Sequence, residues 1–298
     1  MKSLKKQDDR KIIICTTFRE FNGNSNDKIQ RLFLESIKEQ TYKNFILSVT
    51  TFGEKNVEKV LVQEEIPHII FKGDAGEYRF SLTQVLQNAI SLIINSDSHI
   101  ILWTTCDVIF EKDFFENIIN EFKPGYCGTS LPHSVYTNHD NYINNNNPWK
   151  LWWGLDLIFF DSDILASVKV NNIIDNYPNN GWGYFEFFLS GVGKKFFKKM
   201  INVRPYTVSK IENDRLANNE TKAFFSLSTS HNKNTYESFM TDYHLNKDPY
   251  SILLNYKVLN KNFIQKTIIY FNLKRRQLAA KLNRFTHHLY IKYFKNRF

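Results

Sequence analysis

Apolar and polar positions over the first 120 residues follow two alternating patterns. Short β-branched runs at 11–17 (KIIICTT), 45–51 (FILSVTT), 67–71 (PHIIF) and 99–103 (HIILW) are each long enough for one buried strand and too short for a buried helix. Between them lie stretches with apolar residues three or four apart: Ile29, Leu32, Phe33 and Ile37 within 27–40, then Val57, Val60 and Leu61 within 53–62. A third such stretch carries Leu82, Val85, Leu86, Ala89, Ile90 and Ile93, with Ser81 placed to cap it. After the fourth run, Glu111-Lys112-Asp113 leads into Phe114, Phe115, Ile118 and Ile119, again at helical spacing. Strands alternating with helices in this way predict an α/β chain: a mostly parallel sheet with helices on both faces.

Beyond Pro124 the pattern changes. A strand is expected over 126–131, then a polar, Asn-rich loop over 133–148. The run 151–160 (LWWGLDLIFF) reads as one aromatic strand lining a cleft, followed by a helix start at 161–168. Residues 177–190 read as a glycine-flanked turn entering a short helix, and 202–209 as a last strand. A polar loop then reaches His231, and from about 250 the chain reads as helical.

Composition narrows the class. Of 298 residues, 42% are hydrophobic and 15% aromatic, which excludes disorder over most of the length. Cys15, Cys106 and Cys127 form neither a CxxC pair nor a zinc-type spacing with histidine, so a reducing compartment is expected. The N-terminus passes from charged residues straight into IIIC without a signal-peptide pattern, and no apolar run reaches 18 residues. The net charge of +9 is concentrated at one end. After Asp248 there are eleven basic residues and no acidic one, and taking eleven from +9 leaves −2 on the preceding 248 residues. A near-neutral body with a cationic tail is a different object from a uniformly basic nucleic-acid binder; RNA binding by the tail, or a tail helix packed on the preceding domain, are the alternatives to a membrane contact.

The candidate chemistry begins at Asp107. A carboxylate at the end of a core strand in an α/β chain stands where such folds bind ligands, and a hard oxygen there suits a divalent cation holding a diphosphate. An Asp that merely caps a turn is the alternative.

The segment 36–47 (SIKEQTYKNFIL) resembles the stretch between first helix and second strand of family 2 glycosyltransferases. Thr16-Thr17-Phe18-Arg19-Glu20 is similar to that family's nucleotide-pocket loop, and Gly76 and Arg79 lie in a loop that meets the diphosphate. Thr105-Cys106-Asp107 stands in the place of its Asp-x-Asp metal motif. Residues 181–186 (GWGYFE) resemble the Gly-Trp-Gly-x-acid-acid turn of inverting transferases. The resemblance covers about residues 10–235 and implies a GT-A type fold, a nucleotide-sugar donor and manganese or magnesium. It places Thr17, Phe18, Glu20, Gly76, Arg79 and Asp107 on the donor, with Asp107 and His231 on the metal. Glu186 is the implied general base, leaning the reaction towards inversion, with a surface glutamate on an amphipathic helix as the alternative. Trp152, Trp153, Asp156 and Trp182 are assigned to the acceptor, the tryptophans as flat surfaces for a sugar face. A buried, paired carboxylate is the alternative for Asp156, ordinary core or rim packing for the tryptophans, and a solvated loop histidine for His231.

Three departures leave both a working enzyme and an inactive relative open. Thr105 replaces the first acid of the metal motif, Thr50-Thr51-Phe52-Gly53 lacks the acid that contacts the base, and Phe185 replaces the first acid of the later turn. The expected organisation is a catalytic domain over 1–248, divided into a nucleotide-sugar half (10–123) and an acceptor half (124–248), followed by a basic amphipathic tail over 249–298. That tail interleaves Lys and Arg with Ile, Leu, Phe and Tyr, the composition of a helix lying on an anionic membrane surface. The expected acceptor is a glycan or lipid-linked glycan of a surface polysaccharide or lipopolysaccharide, and the expected place the inner face of the cell membrane. The competing readings are a nucleotidyltransferase, which calls for a Gly-rich basic loop after the first strand, and a non-catalytic glycan-binding relative.

Overall fold

The computed structural model describes residues 10–74, 80–93, 99–131, 133–144, 150–152, 155–181, 184–203, 208–211 and 219–245. Its centre is a seven-stranded sheet. Strands β1 (Ile12–Thr16), β2 (Phe45–Thr51), β3 (His68–Lys72) and β4 (Ile100–Thr104) are mutually parallel, in the order β3-β2-β1-β4. Beyond β4 comes antiparallel β9 (Leu157–Asp161), then β6 (Tyr126–Thr129) and its parallel neighbour β10 (Lys199–Asn202).

Alternation along each strand feeds two cores. Ile12 and Ile14 of β1, with Ile100 and Leu102 of β4, face helices α1 (Ser25–Lys38), α2 (Val57–Gln63) and α4 (Phe114–Glu121). Ile13, Cys15, Ile101 and Trp103 face the opposite set: α3 (Leu82–Ile90), α6 (Ser162–Leu165), α7 (Val168–Asn176), α8 (Phe185–Phe196) and α9 (Asn219–Asp242). The mostly parallel sheet with helices on both faces expected of a GT-A type chain is therefore present. Ser81 caps α3 as expected, its hydroxyl accepting from Gln84 N at 3.3 Å. Burial pushes the Cys15 thiol far up, so it packs as an inert apolar group. Among the described residues no helix is long and apolar enough to cross a membrane.

The second half departs from expectation. The run 151–160 is not one strand: β8 (Lys150–Trp152) ends, Asp156 turns the chain, and β9 begins. The stretch expected as a loop after His133 holds β7 (His133–Tyr136) and α5 (His139–Ile143). The expected last strand is two, β10 and β11 (Val208–Ile211), in different sheets. With β5 (Val108–Phe110), these short strands form a second sheet in the order β5-β11-β7-β8. His231 sits on α9 rather than in a loop. The expected C-terminal helix over 249–298 lies outside the described residues.

Candidate active site at the end of strand β4

The chain runs outward from β1 to β2 and β3, then returns to add β4 on the other side of β1. Ligands of parallel α/β sheets bind outside the carboxyl ends of the strands at such a reversal. Here those ends are Thr16-Thr17 and Thr104 to Asp107.

Two buried glutamines hold them in place. Gln30 on α1 accepts from Arg19 N at 2.6 Å and from Cys106 Sγ at 3.5 Å, tying the loop after β1 to the Asp107 turn. Gln40, wholly buried at the end of α1, donates to Ser36 O and Glu111 O, both at 2.8 Å, and accepts from Phe115 N at 2.9 Å. Thr41 N and Tyr42 OH extend this seam to Lys112 O and Arg10 O. The Gln-Thr-Tyr signature is thus a brace, not a ligand contact: it fixes where α4 starts and so where the chain leaves Asp107. Gln40→Ala strands a buried carbonyl and a buried N–H, and should lower stability by about 1–3 kcal/mol, read from urea unfolding, with folded structure retained.

Asp107 is 1% exposed, and its Oδ1 accepts from Thr105 Oγ1 at 2.5 Å. The second carboxylate comes from Asp156, across the end of β4, where Thr104 pairs with Leu157. The Asp156 carbonyl accepts from Thr105 N at 3.2 Å and Thr104 Oγ1 at 3.3 Å. Strand β11 then brings a cation. Lys210 lies opposite Val108 and next to Val135, and Ile211 N donates to Asp107 O at 3.1 Å. Lys210 Nζ hydrogen-bonds Asp156 Oδ1 and lies 3.8 Å from Asp107 Oδ2, with side-chain exposures of 12%, 9% and 2%. Burial alone would raise the Asp156 carboxyl. The Lys210 ammonium, helped by His133, outweighs that and holds it well below the usual carboxylate range. His133 on β7 is wholly buried, with Nδ1 3.5 Å from Asp156 Oδ2. That contact is outside hydrogen-bonding geometry, so both ring nitrogens and Asp156 Oδ2 lack a hydrogen-bond partner.

The other expected site residues fall as follows. Thr17 has a buried Oγ1 with no hydrogen-bond partner, the kind of group a ligand satisfies. Phe18, expected on the donor, is 3% exposed and packs on Phe21 and Phe33 in the core, so only its backbone is available. Glu20 is half-buried in the same loop. Glu186 is half-buried in the first turn of α8, after Tyr184 in the left-handed region at φ 61°. Phe185 beside it packs on Trp103 of β4 at 5.3 Å, which sets the start of α8 near the carboxyl end of that strand. Asp156, expected at the acceptor, is the buried, paired carboxylate that the sequence left as its alternative. His231, expected on the metal, has Nε2 3.2 Å from the Pro178 carbonyl; that nitrogen is committed to a carbonyl as placed. Trp152 lies on β8 opposite His133. Gly76, Arg79, Trp153 and Trp182 lie outside the described residues. A groove of about 650 Å³ opens at the ends of β2 and β3, lined by Thr51, Phe52, Glu54, Glu58 and Lys72 among others. Sequence reasoning did not single out Lys210 or His133. The one signal for Lys210 is a lysine set between Val208 and Ile211 in a short strand-like run.

The resemblance implies a divalent cation on Asp107. Among the described residues no three His, Cys, Asp or Glu side chains are gathered as a ready metal group. Two carboxylates do converge on the Lys210 ammonium. Carboxylate oxygens are the donors magnesium and manganese take, and an oxygen without a hydrogen bond, Asp156 Oδ2, lies beside them. The donor set fits a divalent cation at the position the ammonium holds.

No protein-family model and no curated protein matches the sequence. Solved structures similar in fold include the mannosyltransferase PcManGT from Pyrobaculum calidifontis in complex with GDP-Man and Mn2+, at 9% identity and TM-score 0.45, covering 95% of this chain and 84% of that one. S. aureus TarS 1-349 is 10% identical with TM-score 0.46, over 88% and 78%. The inositol-1-phosphate CTP transferase from T. maritima is 11% identical with TM-score 0.43, over 73% and 95%. With TM-scores below 0.5 these likenesses assign no activity, and the functional reading rests on the residues at the end of β4.

Proposed function

We propose that this chain is a glycosyltransferase that moves a sugar from a nucleotide-linked donor to a glycan or lipid-linked acceptor. The observation that carries the reading is Asp107, buried and braced at the sheet's switch point, with Asp156 and Lys210 converging on it. The nucleoside enters the groove beside β2 and β3, and its diphosphate lies across the ends of β1 and β4. There the Thr17 hydroxyl gains the partner it lacks. A divalent cation held by Asp107, bound as magnesium or manganese, would take up negative charge as it builds on the leaving diphosphate. Glu186 accepts the proton of the acceptor hydroxyl as that oxygen attacks, which makes the transfer inverting. Trp152, Trp153 and Trp182 are proposed as flat surfaces for the acceptor's sugar face.

Nucleotidyl transfer would call for a Gly-rich basic loop after β1. That loop, residues 17–24, holds a single glycine, Gly23, and is pinned by Gln30. Product analysis separates the chemistries. Incubation with nucleotide sugars should release a nucleoside diphosphate and no pyrophosphate. Pyrophosphate from a sugar phosphate and a nucleoside triphosphate would instead mean nucleotidyl transfer.

Residues 249–298 are proposed to hold the enzyme on an anionic membrane surface, at roughly 1 kcal/mol for each Lys or Arg near it. A protein truncated at 250 should leave anionic vesicles in flotation, and added salt should detach the full chain, because screening acts over about 8–10 Å. A truncated protein that melts normally yet still floats contradicts this.

A further inference from the structure

The geometry points to a cation-exchange site in which a divalent metal replaces the Lys210 ammonium between Asp107 and Asp156. Asp156 thereby supplies the carboxylate that the motif lost at Thr105. The proposal deepens the reading of Asp107 as a donor-side metal ligand and rests on it.

Three observations carry it. The oxygens Asp107 Oδ2 and Asp156 Oδ1 both lie within 3.8 Å of one point, and that point already holds a positive charge. Asp156 Oδ2 is buried with no hydrogen-bond partner, which leaves a lone-pair site for a ligand. Finally, His133 is wholly buried with Nδ1 3.5 Å from Asp156 Oδ2, close enough to back a metal-bound carboxylate.

The lost acid at Thr105 is thus compensated in space rather than in sequence. Thr105 keeps a different task, donating to Asp107 Oδ1 and turning the other oxygen towards Lys210. Asp156 reaches the same point because its carbonyl is bound to Thr105 N and Thr104 Oγ1. In the exchange Lys210 leaves as an ammonium with its protons. No covalent bond forms or breaks, and the carboxylates stay ionised throughout. Magnesium binds oxygen at about 2.1 Å, so Asp107, now 3.8 Å from the ammonium, closes inward when the metal enters. Metal and ammonium compete for the same oxygens. Lys210 therefore holds the two acids together in the metal-free protein and weakens metal binding at the same time.

The test is Mn2+ binding without nucleotide. Full-length protein is stripped with EDTA, dialysed and titrated with MnCl2, with free Mn2+ read from its electron paramagnetic resonance signal. Asp107→Asn and Asp156→Asn should each weaken binding by at least about 10- to 100-fold, the loss typical of disturbing a metal's supporting groups. Lys210→Met should tighten it by about tenfold or more, because the competing charge is gone. Should Lys210→Met not fold without metal, Mn2+ should restore its cooperative melting. A chain that gains neither binding nor a cooperative melt overturns the exchange. Loss in Asp107→Asn with normal binding in Asp156→Asn also overturns it, and leaves Asp107 as a metal ligand. Absence of Mn2+ binding in all four proteins overturns the site, whereas donor binding measured separately in EDTA decides the glycosyltransferase reading.

Discussion

Glu186→Gln should lower kcat by about 10²–10⁴-fold, the usual contribution of a general base, while donor affinity stays within a few-fold of wild type. The separation follows from placement. Glu186 is in the first turn of α8, whereas the groups assigned to the donor lie at the ends of β1 and β4. The substitution keeps shape and removes only the ability to take a proton. Phe185, which anchors the turn on Trp103, is untouched, so the fold should be unchanged. Steady-state kinetics with an identified donor and acceptor reads the result. Normal turnover in the mutant would remove Glu186 from the chemistry. Loss of donor affinity instead would make it a binding residue.

Lys210→Met should have the largest effect on the metal-free fold, a loss of about 3–5 kcal/mol, because removing one partner of a buried ion pair leaves uncompensated charge. In this case Asp107 and Asp156, each nine-tenths buried or more, both lose the ammonium. A surface pair such as Arg31–Glu64, with the arginine 46% exposed, should by contrast be nearly silent when broken. Adding Asp156→Asn to Lys210→Met removes one stranded charge and should return part of the loss. Urea unfolding in EDTA measures both. Mn2+ should stabilise Lys210→Met more than it stabilises wild type. If Lys210→Met unfolds at the wild-type urea midpoint, the cluster is not an energetic unit, and the account of the site fails with it.

The first half of the fold was legible because each element there announces itself. Runs such as IIIC and FILS carry their own strand signal, and the helices between them bury stripes three and four residues apart. The second half was not legible, for three separate reasons. Strands β5, β7, β8 and β11 are three or four residues long, too short to show a period, and they exist through pairing across distant segments. The run LWWGLDLIFF is apolar throughout, so hydropathy could not reveal that Asp156 breaks it in two. Helix α9 reads as a loop in the sequence because polar residues share its buried stripe. Ser228 and Asn232 are wholly buried on the same stripe as Tyr236, Phe239 and Met240, and Asn232 Oδ1 accepts from Asn180 N at 2.9 Å.

The site was legible in the same uneven way. Asp107 could be found because it follows a buried strand, and position along the chain fixes position at the sheet end. Asp156 stood out as a carboxylate among apolar residues, but only its partner explains it, and Lys210 arrives from 54 residues further on. Nothing local in VSKI tells that its lysine turns inward between two acids. The resemblance drew attention to Gln40, Thr41 and Tyr42, whose contacts turn out to be a brace under α4 rather than part of the binding surface.

The most direct measurement is a thermal-shift titration of a nucleotide-sugar panel against wild type and Asp107→Asn, each with Mn2+ and with EDTA. A donor at about 100 times its Kd stabilises the folded state by about 2.7 kcal/mol, which for a chain of this size is a rise in Tm of several degrees. At least one nucleotide sugar should raise the wild-type Tm in Mn2+. The rise should be lost in Asp107→Asn, whose own melting without donor stays cooperative. If no nucleotide sugar shifts the wild type under either condition, or if Asp107→Asn shifts as fully as wild type, then the end of β4 is not a donor site.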